Sequence, residues 1–318
     1  MLPFIPTWSL SRVTPGPATA ELEAAAARLR ATVEVLATDI GPRHVGVPER
    51  YRLAERFLES SLAKMGYEVR RQEIQAPGMV CANLEARIPA AKPGAVAIVV
   101  GAHYDSVPGC PAANDNGSGV AGVLEVARAF VERRRAGGGG FKRELRFVLF
   151  VNEEPPFFHI GEMGSQHYAR ACRKRGDRID GMVCLETIGY YSDRPRSQMW
   201  PHPLLAKVLP DRADFIAFVG STPARRFIRR AARSFRKQRA VPLLAACAPA
   251  RIDQVNWSDH RGFIECGYPA FMVTDTALFR YKHYHHATDT ADRLDYLSMA
   301  RVVGGVGGLV AELAGPMG

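Results

Sequence analysis

Residues 95–106 read AVAIVVGAHYDS, a short apolar run that leads directly into a histidine and an aspartate. The apolar part is continuous and rich in β-branched residues, which is typical of a strand buried on both faces of a parallel sheet. Similar runs follow along the chain: ELRFVLFV (144–151), GMVCLE (181–186), FIAFVG (215–220) and PAFMVTDT (269–276). These runs predict a mostly parallel central sheet.

Helical periodicity fills the intervals between the apolar runs and also precedes them. The predicted helices span residues 21–38, 48–65, 117–135, 161–175, 222–239 and 295–314, and strand-like stretches occur at 67–74 and 83–89. No repeat or linker divides the chain. We therefore expect a single α/β domain over residues 21–318, with helices flanking the sheet. Residues 1–20 contain several prolines and are expected to form a weakly structured leader. This leader does not indicate in which cellular compartment the protein is located.

The composition excludes several classes of protein. With 47% hydrophobic and 23% charged residues in 318, the chain has enough apolar content to fold, so disorder is excluded. The six cysteines contain no CxxC pair, which argues against a zinc ribbon or a redox motif. No run reaches the roughly 20 apolar residues of a membrane span, so none is predicted.

The charge is concentrated in one segment. The formal net charge is +10, and residues 224–239 (ARRFIRRAARSFRKQR) carry eight basic side chains and no acidic one. Phe227, Ile228 and Phe235 recur at helical spacing, which predicts an amphipathic helix with an apolar face on the sheet. We interpret the basic face as solvated, but contact with nucleic acid or an acidic surface stays open, as does a non-enzymatic binding protein that uses this helix.

Ionisable residues follow several of the predicted strands at the point where each strand ends. They include His103 and Asp105, the pair Glu153 and Glu154, and Glu186. Taken singly, each is more typical of a solvated surface, and Asn-Asp-Asn-Gly-Ser-Gly (114–119) alone would be a turn with an N-cap. Together they occupy the carboxyl edge of the sheet, where ligands bind in such folds. Several buried carboxylates at one edge would repel one another unless a cation offsets them.

Six segments, spread over about residues 95–295 in this order, resemble the signature blocks of the co-catalytic di-zinc aminopeptidase family. They are AHYDS, ANDNGSG, NEE, LETIGYYSD, SDHRGF and TDTALFRYKHYHHATDT. That family includes bacterial leucyl aminopeptidase and the Streptomyces and yeast vacuolar aminopeptidases, with glutamate carboxypeptidase and glutaminyl cyclases as relatives. The resemblance implies a zinc-exopeptidase-like α/β fold and removal of N-terminal residues from peptides with a free N-terminus.

The resemblance implies a particular set of metal ligands. Asp115 would bridge two zinc ions; His103 and Glu186 would complete one site, and Glu154 and His285 the other. Each ion would then have three protein ligands and an open position, as a catalytic zinc requires. Nitrogen and carboxylate ligands suit zinc, and cobalt or manganese could substitute for it.

The resemblance also implies roles for residues around the metals. Glu153 resembles the general base of the family, which accepts a proton from an activated water. Asp105 resembles the carboxylate that orients the histidine ring of His103. Asp259 is expected to support the site in a similar way, and Tyr284 to donate a hydrogen bond to the developing oxyanion.

The sequence departs from the family pattern at two positions, one of which leaves an alternative enzyme open and the other an ambiguous ligand. Glu186 stands where most characterised relatives have aspartate, and the glutaminyl cyclase branch, which uses one zinc for acyl transfer, also has glutamate there. Cyclase-like chemistry with one zinc is therefore the alternative enzyme. At the last ligand, His285 and His286 are adjacent, and we choose His285 because it directly follows Tyr284 and has the usual spacing to Thr288-Asp289-Thr290.

Overall fold

The structure is a computed structural model that describes residues 7–315. Nine strands within this range form one sheet. The strands are β1 (Thr7–Ser11), β2 (Arg70–Ala76), β3 (Met79–Ile88), β4 (Ala97–His103), β5 (Glu144–Phe150), β6 (Ile179–Glu186), β7 (Ile216–Ser221), β8 (Leu243–Ala248) and β9 (Ala270–Thr274). The helices are α1 (Ala20–Glu34), α2 (Pro48–Met65), α3 (Gly119–Arg135), α4 (Phe157–Ile160), α5 (Gly164–Arg175), α6 (Pro203–Ala206), α7 (Arg225–Gln238), α8 (His260–Glu265) and α9 (Tyr296–Ala314).

The sheet has the order β1-β8-β7-β9-β6-β4-β5-β3-β2. Its centre, β9-β6-β4-β5, is parallel throughout, and β7 and β8 are also parallel to each other. The pairs β1–β8, β7–β9, β3–β5 and β2–β3 are antiparallel. The single α/β domain is thus confirmed. The sheet is mixed, however, because antiparallel strands flank the parallel centre on both sides.

Helices cover both faces of the sheet, and the alternation of side chains along β4 shows how. Ile98 and Val100 belong to the larger core, which also holds buried residues of α1, α3, α7 and α9. Ala97 and Val99 point to the opposite face and join a smaller core with residues of α5 and α8. Because successive side chains of a strand point to opposite faces, a strand covered on both sides must be apolar throughout. This explains the continuous apolar run at residues 95–100.

The helix over residues 48–65 was predicted at the same bounds because both ends carry strong local signals. Pro48 occupies the first turn, where its missing N–H would have had no partner in the helix. Gly66 ends α2 with φ 99°, in the left-handed region that favours glycine.

Two strands were missed by the sequence analysis. The prediction of a weakly structured leader is wrong for Thr7–Ser11, which form β1 and pair antiparallel with β8; residues 1–6 lie outside the described residues. β8 itself reads LLAACA, and it lacks the β-branched residues that mark the other central strands. The pairing of two segments more than 230 residues apart has no local signal in either of them.

The apolar helix α9 is long and hydrophobic enough to cross a membrane, although no span is predicted from the sequence. More than half of the relevant window is buried inside the fold. Side chains such as Val302, Val306 and Leu309 pack in the larger core. A helix packed in a protein core passes the same test of length and hydropathy, so α9 is weak evidence for a span.

The basic helix predicted over residues 222–239 is observed as α7. Its apolar side chains Phe227, Ile228 and Phe235 are buried in the larger core, as expected. On the opposite face, Arg230 pairs with Asp180 and Lys237 with Glu312. Within the described part of the chain, the other basic side chains of α7 form no ion pair with a carboxylate.

We predict that Gly101→Ala destabilises the fold. A Cβ added at Gly101 in the centre of β4 would lie 2.4 Å from Phe150 Cε2 and 2.9 Å from the carbonyl oxygen of Val148. Overpacking of this kind costs about 1–3 kcal/mol, which urea denaturation would measure. Gly304→Ala on α9 is the matched control, because a Cβ there meets nothing within 4 Å and alanine favours the helix. Equal stability of the two variants would contradict this account of β4.

Candidate metal centre

The predicted site residues lie at the edge of the sheet where β4, β5 and β6 end. His103 is the last residue of β4, and Glu186 is the last residue of β6. Glu153 and Glu154 follow the end of β5, where Phe150 is in register with His103. Because these strands are parallel neighbours, their carboxyl ends meet at one edge, and the short segments that follow them face the same space.

A first group of possible ligands consists of His103, Asp115 and Glu186. His103 Nε2 lies 3.4 Å from Asp115 Oδ1 and 3.2 Å from Glu186 Oε2. Asp115 reaches this position from the segment Ala113–Ser118, which connects to α3. One imidazole nitrogen and two carboxylate oxygens thus converge on a common point.

A second group consists of Asp115, Glu154 and His285. His285 Nε2 lies 2.9 Å from Asp115 Oδ2 and 3.4 Å from Glu154 Oε2. Asp115 therefore directs one carboxylate oxygen to each histidine. The neighbouring His286 is exposed and belongs to neither group.

Many polar atoms of these two groups are buried without a partner. Both ring nitrogens of His103, Oδ2 of Asp115, Oε1 of Glu154 and Nε2 of His285 have no hydrogen-bond partner among the described residues. Burying such groups unsatisfied is unfavourable, and buried polar atoms are normally paired or coordinate a metal. These atoms and their chemistry therefore fit bound cations, with imidazole and carboxylate donors of the types that zinc takes.

The electrostatics of the protein without metal reflect the crowding of acids. Burial raises the pKa of Glu153 and of Glu154 well above its ordinary value, and neighbouring carboxylates raise both further. Burial also raises the pKa of Glu186 to about 7. Asp115 behaves in the opposite way: burial would raise its pKa, but the contacts with His103 and His285 outweigh burial and lower it.

Asp105 supports three residues of the site at once. Its Oδ1 accepts a hydrogen bond from the backbone N–H of Glu153, and its Oδ2 from that of Glu154, both at 3.0 Å. Oδ1 also lies 3.3 Å from His103 Nδ1. The sequence analysis assigned Asp105 only to the histidine ring, whereas this carboxylate also fixes the turn that carries both glutamates.

Asp289 is a functional candidate that the sequence analysis used only as a spacing marker. Its fully buried carboxylate accepts hydrogen bonds from the backbone N–H of Asn114 at 2.9 Å and of Asp115 at 3.1 Å. Tyr281 donates a third, at 2.8 Å. Asp289 thus orients the segment that carries Asp115. A carboxylate four residues after a proposed histidine ligand was the available signal.

Two further side chains hold Glu186. The Ser258 hydroxyl donates to Glu186 Oε2 at 2.7 Å, and Asn116 Nδ2 donates to the same oxygen at 3.1 Å. Asn116 Oδ1 accepts from the backbone N–H of Thr187, which follows the glutamate. The longer side chain of glutamate is therefore fixed at its tip and at the adjacent backbone. Neither contact had a local signal in the sequence.

Asp259 and Tyr284 each adjoin in sequence a residue of the site: Asp259 follows Ser258, which donates to Glu186, and Tyr284 precedes His285. Asp259 is fully buried, both of its oxygens lack a partner among the described residues, and burial raises its pKa to about 7. Tyr284 stacks on His285 with ring centroids 3.9 Å apart. Burial raises the pKa of Tyr284, and the charges of Asp115 and Glu154 raise it further.

We predict that the metal-free protein becomes less stable as the pH rises from about 4 to 8. The folded state raises the pKa values of Glu186 and Asp259 to about 7, so it binds more protons than the unfolded state does in this range. Stability is then fully present at low pH and is lost as the pH passes the folded values, by about 1.4 kcal/mol for each unit of pKa shift.

Urea denaturation in the presence of a chelator, at about pH 5 and pH 8, would measure this loss, and Asp259→Asn should reduce it. Added zinc should abolish most of it, because a bound cation replaces the protons. A metal-free protein that becomes more stable over this range would contradict the prediction.

Comparisons with known proteins identify relatives of this chain. The model of Peptidase family M28 matches residues 83–309. The protein YfbL of Escherichia coli (strain K12), described as uncharacterized, is 34% identical over 88% of this chain and 85% of its own length. Leucine aminopeptidase 1 of Arthroderma otae is 27% identical over 68% of this chain. The match spans 54% of that aminopeptidase, or about half of its length.

Solved structures share the fold over nearly the whole chain. A zinc aminopeptidase from Bacillus subtilis superposes with a TM-score of 0.68 at 16% identity, covering 91% of this chain and 95% of that one. The glutaminyl cyclase of Fimbriiglobus ruber superposes with a TM-score of 0.65 at 23% identity, covering 94% of this chain and 99% of that one. At these identities the likeness concerns the fold alone.

Proposed function

The chain belongs to peptidase family M28, and from this premise we propose that it is an aminopeptidase that uses two metal ions, most simply zinc. Family membership supports metal-dependent hydrolysis of peptide bonds. The observation that carries the two-metal proposal is the position of Asp115, whose carboxylate oxygens face His103 at 3.4 Å and His285 at 2.9 Å.

The residues that would hold the metals follow from the two groups. His103 and Glu186 would bind one ion, Glu154 and His285 the other, and Asp115 both. When bound, two zinc ions would acidify a water molecule and polarise the peptide carbonyl. Asp105 and Asp289 would keep the ligands in place through the backbone N–H groups of Glu154 and Asp115.

Glu153 is the proposed general base. Its Oε2 lies 3.8 Å from His103 Nε2, and burial raises its pKa, so its carboxylate gains from holding a proton. It would accept a proton from the attacking water and return it to the leaving amine. Glu153 and Glu154 both lie close enough to His103 to share a metal with it, but only Glu154 also forms a group with Asp115 and His285. We therefore assign metal binding to Glu154 and proton transfer to Glu153.

Tyr284 is proposed to donate a hydrogen bond to the substrate carbonyl. Its ring is fixed by stacking on His285, and its raised pKa keeps the phenol protonated. A protonated phenol beside the reacting carbonyl would stabilise the negative charge that develops on its oxygen.

We predict that Glu153→Gln lowers kcat by about 100- to 10,000-fold without loss of metal, because the amide cannot accept a proton. Hydrolysis of aminoacyl-4-nitroanilides, with metal content measured in parallel, would test this. Glu162→Gln, at a half-exposed glutamate outside both groups, is the matched control. Asp115→Asn should instead reduce metal occupancy. Turnover of Glu153→Gln close to that of the unmodified protein would remove Glu153 from the role of base.

Glutaminyl-cyclase-like acyl transfer with one zinc is the second candidate, supported by the fold shared with the Fimbriiglobus ruber cyclase and by glutamate at position 186. Two complete ligand groups that share Asp115 favour two ions over one, because a single ion would occupy only one of the groups. Cyclisation of peptides with N-terminal glutamine, measured by the ammonia that the reaction releases, would favour the cyclase if nitroanilides are not hydrolysed.

We expect the basic face of α7 to be exposed to solvent without binding a partner. Binding of nucleic acid or of an acidic surface by this face stays the alternative. Replacement of Arg226, Arg229 and Arg233 by glutamine should leave peptidase kinetics unchanged. It should also raise stability slightly, since like charges three or four residues apart repel by about 0.2–0.5 kcal/mol a pair. Salt-sensitive retention on heparin or DNA that disappears in this variant would instead support a binding role.

A further inference from the structure

Arg43 is fully buried, although its side chain is long and charged. It follows Gly41-Pro42 after the helical segment that continues α1. Its guanidinium forms no ion pair with a carboxylate among residues 7–315. A buried guanidinium without an acidic partner is unfavourable unless its N–H groups are satisfied in another way.

Backbone carbonyl groups satisfy it. The guanidinium donates five hydrogen bonds: Nε to Tyr104 O at 2.7 Å, Nη1 to Pro111 O at 2.7 Å, to Leu36 O at 3.2 Å and to Gly41 O at 3.3 Å, and Nη2 to Ala112 O at 2.9 Å. These acceptors belong to three separate segments of the chain. The planar fork of arginine joins the segments at one point, which a single ammonium group cannot do.

Two of these segments carry metal ligands of the proposed site. Tyr104 directly follows His103, and Ala112 lies three residues before Asp115. Ala112 has positive φ (57°), and its carbonyl oxygen also accepts from the backbone N–H of Gly117. Arg43 therefore spans the two sides of the first ligand group and holds the backbone on each side.

The backbone of Arg43 reinforces the same connection. Its N–H donates to the Ser106 hydroxyl at 3.0 Å, and its carbonyl oxygen accepts from the backbone N–H of Ser106 at 3.0 Å. Ser106 follows Asp105, whose carboxylate fixes the two glutamates. Side chain and main chain of Arg43 thus bind Tyr104 and Ser106, the residues that follow His103 and Asp105.

The position of the charge also favours the site. The carboxylates that act on the Arg43 charge are Asp105, Asp289 and Asp115, all of which belong to the site or support it. A cation fixed behind these acids offsets part of their mutual repulsion without occupying a ligand position.

We propose that Arg43 is a positioning residue of the metal centre, which sets the separation between His103 and the bridging carboxylate of Asp115. The proposal rests on the two-metal function proposed above. Arg43 contacts no ligand atom and acts only through the backbone on either side.

The test compares Arg43→Lys with Arg280→Lys. Arg280 is the matched control, because it is also buried and also donates to backbone carbonyls, those of Tyr190, Ala213 and Phe215, none of which lies within three residues of a proposed ligand. Each protein is titrated with cobalt(II) in the metal-free state, and the stoichiometry, the affinity and the visible absorption of the bound ions are recorded. The melting temperature without metal measures the purely structural effect.

We expect both lysine variants to melt at a lower temperature, and only Arg43→Lys to lose about 10- to 100-fold in cobalt affinity with an altered absorption spectrum. Cobalt binding and a spectrum like those of the unmodified protein would overturn the proposal. An equal change in Arg280→Lys would also overturn it, because the effect would then follow from stability alone.

If Arg43→Lys does not fold, Ser106→Ala decides the question, since it removes one contact to the Arg43 backbone. A smaller change in cobalt affinity and spectrum would support the proposal, and unchanged values would overturn it. An unmodified protein that binds no cobalt would refute the metal centre itself. An unmodified protein that binds two ions, matched by Arg43→Lys, would refute only the role of Arg43.

Discussion

The carboxylate of Asp115 lies between two histidines, with one oxygen directed to each of them. It is almost fully buried, and its Oδ2 has no hydrogen-bond partner in the described structure. Such a group is stable only if its surroundings hold it firmly and a positive charge faces it. Much of the surrounding structure meets one of these two requirements.

The backbone is oriented by acids that themselves bind no proposed metal. Asp289 holds the segment of Asp115, and Asp105 holds the turn of Glu153 and Glu154, in each case by accepting two backbone N–H groups. The added carboxylates increase the negative charge of the site. The buried guanidinium of Arg43 offsets part of this negative charge through the protein, and cations bound at the ligand atoms would offset more of it. Metal binding should therefore increase the free energy of unfolding of the protein, because the cations offset the repulsion among the buried carboxylates.

The mixed topology of the sheet separates this chemistry from the rest of the fold. The parallel strands β4, β5 and β6 bring their carboxyl ends, and with them His103, the two glutamates and Glu186, to one edge. The antiparallel strands add width and core without adding ligands. Strand β7 runs against β9, so the basic helix α7, which follows β7, begins at the edge opposite the candidate metal centre and runs back along the sheet to β8. In the described structure, no side chain of α7 hydrogen-bonds to or pairs with a member of either ligand group.

The sequence by itself determined what depends on local patterns. Continuous apolar runs identified the central strands, because a strand covered on both faces has no polar side, and helix periodicity with Pro48 and Gly66 gave α2 its bounds. The residues at the strand ends were also visible, since the strands fix where such residues lie. The tertiary structure decided what depends on distant segments. It alone showed the pairing of β1 with β8 and the contact of Ser258 with Glu186, and it showed that Arg43 joins three stretches of backbone. The strand pairing, the contact of Ser258 and the bonds from Arg43 to Tyr104, Pro111 and Ala112 link residues 60 or more positions apart. A hydrogen bond between such residues leaves no periodic trace in either segment.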